Sequence, residues 1–287
     1  MSKIRIVTDS TSDLTQELIE QYRVEVLPLT VTLNEISYRD KVDIKEDEFY
    51  QLLCTTKEFP TTSQIPPATF AEAYQKLAQD GAEHIISIHI SSDLSGTYQS
   101  SMLAANMVAD SVTVHCIDSR SATIGLGPIV LAAARLVEQG LEIDQILAQL
   151  QDIVDHTTVY FLIDSLDNLH KGGRIGKASH LVGSLLNLKP ILTLNEGVIS
   201  AYDKVRGNKG NKALERLIDI LEEKIDPNKK LYCAIGYSDS AALEQAKRIQ
   251  ERLEGKVACD DFVYLQIGCV VGAHIGTGAI GMGFYQV

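Results

Sequence analysis

The sequence contains no tryptophan, and phenylalanine and tyrosine together make up only 6% of the chain. Its five cysteines are odd in number and include no Cys-x-x-Cys pair, which excludes a small disulfide scaffold and a cysteine-ligated zinc motif. We interpret these cysteines as small buried hydrophobic residues in a reducing cytosol. Hydrophobic residues form 45% of the 287 positions and charged residues 22%, a composition that indicates a globular chain of about two domains.

We expect neither a targeting segment nor a membrane-spanning segment in this sequence. The N-terminus enters a strand-like pattern without the apolar core of a signal peptide, so we expect a cytoplasmic protein. Residues 262–287 contain no acidic or basic residue apart from His274, but their six glycines and their strand-like beginning indicate buried core. We therefore expect no membrane span and, at most, transient contact with a membrane surface.

Motifs for metals and nucleotides are absent as well. There is no His-Glu-x-x-His motif and no EF-hand loop, and the seven histidines are scattered, so we expect no metal site and no cofactor. Residues 276–281 match G-x-G-x-x-G in form only, because that fingerprint must open a helix and be followed by an acid about 20 residues later. Without a P-loop lysine, the chain also lacks the parts for phosphoryl transfer on its own.

Charge is unevenly distributed along the chain. There are 26 basic and 38 acidic residues, a net charge of −12, which argues against a nucleic-acid partner. Residues 168–214 instead carry eight basic and two acidic residues, a net +6, so the remainder carries −18. This basic island is either an ordinary solvated face or a surface for an anionic ligand group or an acidic partner. Its basic residues are Lys171, Arg174, Lys177, Lys189, Lys204, Arg206, Lys209 and Lys212.

Short apolar runs alternate with helix-like segments through the first half of the chain. Strand-like runs at 4–7, 85–90 and 112–117 are each followed by a polar turn and a helical pattern. This order predicts a parallel sheet covered by helices on both faces. A further apolar run predicts one strand at 24–33, and prolines on either side predict a loop at 60–67.

Beyond residue 159 the pattern changes. Residues 191–194 and 198–202 flank an Asn-Glu-Gly turn, a hairpin signal that predicts antiparallel pairing. We place a boundary between an N-terminal α/β domain with a parallel sheet (1–158) and a C-terminal α/β domain with a mixed sheet (159–287). The predicted fold class is therefore α/β, in two domains.

Hydroxyl side chains gather where predicted strands end and helices begin. Residues 8–12, 62–63, 95–96 and 118–119 fall in such turns, and turns at the carboxyl ends of parallel strands meet in one crevice. Free N–H groups at a helix start favour an anion, and the glycine at 96 lets a ligand approach the backbone closely. Because hydroxyls bind a carboxylate without bringing a counter-charge, this pattern suits a singly charged acid.

Ser95 and His274 allow three interpretations. They can form a nucleophile–base pair, which would make the protein an acyl-ester or thioester hydrolase, although no G-x-S-x-G elbow is present. They can instead both hydrogen-bond a carboxylate. In the third interpretation His274 is a core histidine whose own neighbours satisfy it.

Six motifs, in chain order, give the sequence a resemblance to the DegV family. They are TDSTSDL at 8–14, PTTSQ at 60–64, SSDLSGTYQS at 91–100, KGGRI at 171–175, KVRG at 204–207 and VGAHIGTG at 271–278. The resemblance implies a two-domain DegV-type fold that holds one long-chain fatty acid between its domains. It also implies a non-catalytic binding subunit for lipid transport and fatty acid or phospholipid metabolism. The bound carboxylate would be phosphorylated by a separate ATP-dependent fatty acid kinase.

Carried onto this sequence, the resemblance implies roles for individual residues. Thr62 and Ser95 are expected to hold the carboxylate through their hydroxyls. Ser63, Gly96 and His274 are expected to complete that network. The residues expected to face the head group or the kinase are Lys171, Arg174 and Arg206.

Two departures from the family pattern stand out, because Ile65 and Thr277 occupy positions where proline is common. Neither removes a hydrogen-bond donor. The leucine- and glycine-rich stretches at 181–188 and 268–283 are expected to line a tunnel for the acyl chain, with ordinary core packing as the alternative. A lipid-loaded sensor that docks on other proteins is a further alternative to the kinase subunit.

Overall fold

The computed structural model describes residues 3–56, 58–181, 188–206 and 211–287, with the backbone alone at 260 and 261. These residues form an α/β fold with a parallel sheet and a mixed sheet, which confirms the predicted fold class. No helix within those ranges is long and apolar enough to cross a membrane.

The first part of the chain builds a four-stranded sheet in which all neighbouring strands are parallel. Ile85 packs into one core cluster, and Ile86 and Ile88 pack into another, because helices cover both faces of the sheet. Its strands are β1 (Ile4–Asp9), β2 (Glu25–Leu27), β6 (His84–His89) and β7 (Thr113–Asp118), in the spatial order β2-β1-β6-β7. The helices of this part are α1 (Gln16–Tyr22), α2 (Glu46–Thr55), α3 (Pro67–Gln79), α4 (Thr97–Met107), α5 (Leu126–Glu138) and α6 (Ile143–His156).

A small antiparallel sheet corrects two of the sequence predictions. The predicted strand at 24–33 is divided in two, because Pro28 lacks the N–H that a continuous ladder needs. The predicted loop at 60–67 contains a short strand. The new strands are β3 (Thr30–Leu33), β4 (Ile36–Arg39) and β5 (Thr61–Ser63), in the order β4-β3-β5. As a consequence Thr62 is held in a strand, where it pairs with Val31.

The mixed sheet has six strands, of which β11 and β12 pair in parallel and the other neighbours are antiparallel. The predicted hairpin is confirmed, and its turn residues Glu196 and Gly197 both have left-handed backbone angles. The strands are β8 (Thr158–Leu162), β9 (Leu188–Asn195), β10 (Val198–Arg206), β11 (Lys230–Tyr237), β12 (Ala258–Gln266) and β13 (Ile280–Gln286), in the order β10-β9-β8-β13-β11-β12. The helices are α7 (Asp167–Lys171), α8 (Lys212–Lys224), α9 (Ser240–Leu253) and α10 (Cys269–Ile275).

Helix α10 packs against both parts of the chain. Cys269, Val270 and Ala273 belong to a core cluster built mainly by the first part, whereas Ile275 belongs to a cluster of the second part. The glycine motif at 276–281 ends this helix and leads into β13. It therefore opens no helix, as the sequence analysis predicted.

Candidate functional site

A cavity of about 370 Å³ lies where the two parts of the chain meet, and residues of both parts line it. Its polar side chains are those of Thr62, Ser63, Gln64, Ser95, Thr123, Arg174 and His274. Most of the remaining lining is apolar and includes Leu29, Ile90, Leu94, Ile124, Val159, Phe161, Leu169, Leu194, Ile199, Ile267, Val270, Val271, Ile275 and Ile280. The structure thus brings the predicted carboxylate-binding residues Thr62, Ser63, Ser95, Gly96 and His274 to one cavity.

His274 and Thr62 meet at this cavity although 212 residues separate them in the sequence. Nε2 of His274 lies 2.9 Å from Oγ1 of Thr62. Strand β5 places Thr62, and the last turn of α10 places His274. When the imidazole carries its proton on Nε2, it donates to the threonine oxygen, and the hydroxyl proton of Thr62 remains available to a ligand.

The environment of His274 keeps its side chain neutral. Burial and the neighbouring Arg174 guanidinium lower the pKa of His274 to about 4, so the imidazole carries no charge at pH 7. Its buried Nδ1 has no hydrogen-bond partner among the described residues and faces Gly172, where a Cβ would collide with it. Glycine at 172 therefore provides the space that His274 occupies.

Ser95 and Gly96 lie at the beginning of α4. Oγ of Ser95 is 2.9 Å from Oγ1 of Thr97 and accepts a hydrogen bond of 3.3 Å from the Thr97 N–H. Gly96 is the N-cap and has no side chain of its own to cap the helix, and the positive end of the α4 dipole lies at the cavity. The side chain of Gln64 rests against Gly96 and donates to Oγ of Ser100 at 2.8 Å.

Arg174 brings a positive charge to the cavity. Its Nε donates to the Leu94 carbonyl at 3.1 Å and its Nη1 donates to the Gly172 carbonyl at 2.7 Å. The bond to Leu94 connects the segment after α7 to the turn before α4, and the bond to Gly172 is local to that segment. No carboxylate of the described residues forms an ion pair with Arg174, so its charge is available to an anionic ligand or partner.

The other two predicted basic residues are not among the described lining residues of the cavity. Lys171 is exposed at the end of α7, and Arg206 is exposed at the end of β10. Because neither Lys171 nor Arg206 belongs to the described lining, the structure does not support contact between these residues and a head group. Their role in docking a partner protein stays a prediction. Gly207 and Lys209 of the basic island, and 182–187 of the predicted tunnel wall, lie outside the described residues.

The hydroxyl motif at 8–12 does not contribute to the described lining of the cavity, contrary to the expectation from sequence. Four of its five side chains bond inside the protein instead, whereas Oγ of Ser12 is buried without a hydrogen-bond partner among the described residues. Oγ1 of Thr8 donates to a backbone carbonyl of β6 at 2.8 Å, and Oγ of Ser10 donates to Asp40 at 2.8 Å. Residues 118–119 are also outside that lining. Buried internal acceptors therefore take the hydroxyl protons of Thr8, Ser10 and Thr11, which we expected a ligand to accept.

The contacts of Ser95 and His274 do not favour the hydrolase interpretation. Ser95 bonds Thr97, while His274 bonds Thr62. A catalytic histidine also needs a group that orients its second nitrogen, but Nδ1 of His274 has no such partner in the described part of the chain. A base with a pKa of about 4 is poorly matched to proton abstraction at neutral pH.

A Ser–His–Asp chain that the sequence analysis did not identify lies elsewhere, within the parallel sheet. Nε2 of His89 is 2.7 Å from Oγ of Ser87, and Nδ1 is 3.0 Å from Oδ2 of Asp9. All three side chains are 0% exposed, and Ser87 also bonds the Tyr74 hydroxyl at 2.7 Å. Because a fully buried serine is closed to substrate, this chain serves the architecture of the sheet.

Several lining residues were missed by sequence reasoning. Gln64 follows Thr62 and Ser63 in the same motif, so its position was a usable signal. Phe161 and Leu194 come from strands of the mixed sheet, and nothing local in the sequence connects them to the hydroxyl turns. The expected wall at 268–283 does contribute, through Val270, Val271, His274, Ile275, Ala279, Ile280 and Gly281.

Solved structures of similar proteins share this architecture. A DegV family protein from Thermus thermophilus, described by its fatty acid binding, has a TM-score of 0.89 at 38% identity, with 99% of each chain covered. DegV from Bacillus subtilis, described as a fatty acid binding protein, has a TM-score of 0.89 at 32% identity, with 100% of each chain covered. A stearic-acid-binding protein from Eubacterium ventriosum has a TM-score of 0.87 at 29% identity, with 99% of this chain and 98% of that chain covered.

Sequence comparisons agree over the same length. A DegV domain-containing protein of Caldanaerobacter subterraneus subsp. tengcongensis is 38% identical over 287 residues, which is 100% of both chains. Protein DegV of Bacillus subtilis is 34% identical over 280 residues, which is 97% of this chain and 98% of that protein. The sequence model described as "Uncharacterised protein, DegV family" matches residues 3–287. The chain belongs to the DegV family.

Proposed function

We propose that this protein binds one long-chain fatty acid in the cavity, with the carboxylate at the polar lining and the acyl chain along the apolar lining. The observation that carries the proposal is the 2.9 Å contact between Thr62 and His274 at an otherwise largely apolar cavity. Fatty acid binding by relatives that share the whole fold supports it.

A carboxylate is the anion that the polar lining suits best. Thr62 and Ser95 offer hydroxyl protons to its oxygens. Ser63 and Gly96 supply further donors beside them, while neutral His274 fixes the orientation of Thr62. The N-terminal end of α4 stabilises a negative charge by about 0.3–1 kcal/mol, and by more where the charge is partly buried.

The apolar lining suits a long acyl chain. A C16 acid buries about fourteen methylene groups at about 0.8 kcal/mol each, which gives roughly 11 kcal/mol before the cost of ordering the ligand. Burial of the tail therefore supplies most of the affinity, and a few neutral donors are sufficient for the head group. Lining side chains such as Phe161, Ile124 and Leu194 come from separate segments of the chain and together form the apolar wall.

In this proposal the protein is a binding subunit and not an enzyme. It acts in the cytoplasm in lipid transport and in fatty acid or phospholipid metabolism, with at most transient membrane contact. It presents the carboxylate to a separate ATP-dependent fatty acid kinase. Arg174, whose charge lies at the cavity, and the exposed Lys171 and Arg206 are the candidates for contact with that kinase.

Lipid extraction tests the binding function. We expect protein that is purified, denatured and extracted to release about one fatty acid per chain, detected by mass spectrometry. Thr62→Val should lower this yield, because it removes the hydroxyl bonded to His274. Thr61→Val is the matched control, since Thr61 is the neighbouring strand residue and is exposed outside the described lining. Folded wild-type protein that carries no lipid and binds none when it is added would contradict the proposal.

The kinase step needs a separate test with the purified kinase. Lys171→Ala and Arg206→Ala should slow phosphorylation of the bound acid while leaving the lipid content unchanged. Lys76→Ala, which removes an exposed lysine of α3 outside the basic island, should change neither. Equal phosphorylation rates for all three variants would remove these two residues from the proposed docking surface.

A further inference from the structure

Two buried aspartates from the first part of the chain hold the beginning of α10. The Gly268 N–H donates to Oδ1 of Asp13, and the Cys269 N–H donates to Oδ1 of Asp40, both at 3.0 Å. Asp13 is 2% exposed and Asp40 is 1% exposed. The first N–H groups of a helix have no acceptor inside the helix, and these carboxylates accept from the N-cap residue Gly268 and from the first helical residue, Cys269.

Each aspartate is itself held by further contacts. Oγ of Ser10 donates to Oδ2 of Asp40 at 2.8 Å. Nζ of Lys41 lies 3.3 Å from Oδ1 of Asp13 and 3.0 Å from Oε1 of Glu46. The two acceptors are therefore fixed parts of the first domain's framework, and α10 is attached to that framework at its first turn.

The other end of α10 carries part of the site. His274 lies in its last turn, and Val270, Val271 and Ile275 line the cavity. An α-helix rises about 1.5 Å per residue, so an axial displacement of one residue would break the 2.9 Å contact between His274 and Thr62. The position of His274 therefore depends on where the helix begins.

Directional contacts determine that starting point better than apolar packing does. Hydrogen bonds weaken steeply with distance and angle, whereas the hydrophobic effect is non-directional. Tyr50 adds a third directional contact just before the helix, because its hydroxyl donates to the Ile267 carbonyl at 3.0 Å. All three bonds join the first part of the chain to the segment that leads into α10.

We propose that Asp13 and Asp40 are positioning residues of the fatty-acid site, which fix α10 along its axis and so set the distance between His274 and Thr62. This inference rests on the proposed function, because the two aspartates act on the ligand through His274. It gives the motif at 8–14 a role at a cavity that its own hydroxyls do not line.

The test compares three variants of the full-length protein. Asp40→Ala removes the acceptor of the Cys269 N–H, whereas Asp40→Asn keeps an Oδ1 in its place. Thr8→Val is the matched control, because it removes a buried hydrogen bond of the same motif that ends on Ile88 and not on α10. Two quantities are measured: the Kd for palmitate, and the NMR signal of the His274 imidazole in lipid-free protein, assigned with His274→Gln.

We expect Asp40→Ala to weaken palmitate binding about tenfold and to shift the His274 signal. Asp40→Asn should return both quantities close to wild type, and Thr8→Val should leave both unchanged even if it lowers Tm as much as Asp40→Ala does. An unshifted His274 signal with unchanged affinity in Asp40→Ala would overturn the proposal. Equal effects of Thr8→Val would also overturn it, because they would show a general response to lost stability.

The test also covers a variant that does not fold and a wild-type protein that does not bind palmitate. If Asp40→Ala does not fold, Asp13→Ser takes its place, since the shorter side chain cannot reach the Gly268 N–H at its present 3.0 Å. If the wild-type protein binds no palmitate, the proposed function fails, but the His274 signal of the lipid-free variants still shows whether the aspartates position the helix.

Discussion

Two polar turns of the parallel sheet have similar sequences and opposite environments. TDSTSD at 8–13 begins with the last two residues of β1, and SSDLSGT at 91–97 follows the neighbouring β6. In the first turn Asp9 accepts hydrogen bonds from Thr11, so both groups are buried and satisfied. In the second turn Ser95 stands beside a glycine at the cavity. The comparison teaches that a nearby carboxylate uses hydroxyl protons internally, whereas the Ser95 hydroxyl, which bonds Thr97 and no carboxylate of the described residues, lies at the cavity.

The largest effect that separates the two turns should be on stability. Asp9 accepts hydrogen bonds from the backbone and side chain of Thr11, from His89 and from the Ile90 N–H. Asp9→Ala leaves these buried donors without their acceptor, so we expect the free energy of unfolding to fall by about 3–5 kcal/mol, measured by urea denaturation. Asp93→Ala, at an exposed acid of the second turn, should stay within about 0.5 kcal/mol of wild type. Equal losses of unfolding free energy in Asp9→Ala and Asp93→Ala would contradict the proposed difference between the two turns.

A smaller effect, on affinity, should appear at the second turn. Ser95→Ala removes a hydroxyl at the cavity, and we expect palmitate binding to weaken by about 1–3 kcal/mol because the carboxylate loses a donor. The unfolding free energy should change little, since Ser95 is only partly buried. Thr8→Val should show the reverse profile, with lower stability and unchanged affinity; calorimetric titration and urea denaturation measure both. Wild-type affinity in Ser95→Ala would remove this residue from the site.

The sequence predicts the elements of this fold that depend on interactions between residues close together in the chain. The strands at 4–7, 85–90 and 112–117 are predictable because apolar runs and the polar turns after them are local signals. The hairpin after residue 194 is predictable for the same reason, since its turn residues adopt left-handed backbone angles that Gly197 accepts without strain.

The contacts that assemble the site are not local. Asp13 and Gly268 are 255 residues apart, and Thr62 and His274 are 212 residues apart. The family resemblance brought Thr62 and His274 together, but no spacing in the sequence connects Asp13 to α10. The hydroxyls at 8–12 were assigned to the ligand because their buried acceptors, such as Asp40, lie on another segment of the chain. Hydrogen-bond acceptors that are distant in the sequence therefore determine which polar side chains are still able to bind a ligand.

Two neighbouring glycines, Gly172 and Gly173, differ in what surrounds them. A Cβ at Gly172 would collide with Nδ1 of His274, whereas a Cβ at Gly173 has nothing within 4 Å but would stand on a backbone with φ of +71°. We expect Gly172→Ala to weaken palmitate binding by about 1–2 kcal/mol, because the added methyl displaces the imidazole. Gly173→Ala should lower Tm through backbone strain and leave the Kd unchanged. Unchanged palmitate binding in Gly172→Ala together with weaker binding in Gly173→Ala would contradict the role given to Gly172.

The smallest expected effect is on the pH dependence of stability, to which Asp13 in the first turn and His274 at the cavity contribute with opposite signs. Burial raises the pKa of Asp13 from 3.8 to about 7, against the partly compensating charge of Lys41 and with Asp40 and Glu46 nearby. Between these values the native carboxyl holds a proton that the unfolded chain has released, so its contribution to stability falls as pH rises. Burial and Arg174 lower the pKa of His274 from 6.5 to about 4. There the unfolded chain binds the extra proton, so the contribution of His274 rises with pH.

The two contributions therefore oppose each other between about pH 5 and 6, and each amounts to at most about 1.4 kcal/mol per pH unit. In lipid-free protein, Asp13→Asn should make the free energy of unfolding rise more steeply with pH than in wild type. His274→Gln should make it rise less steeply, and Thr8→Val should keep the wild-type slope; urea denaturation at several pH values measures all four. Equal slopes in all four proteins would show that neither Asp13 nor His274 changes its proton affinity on folding, and the expected electrostatic contrast between these two buried groups would then be wrong.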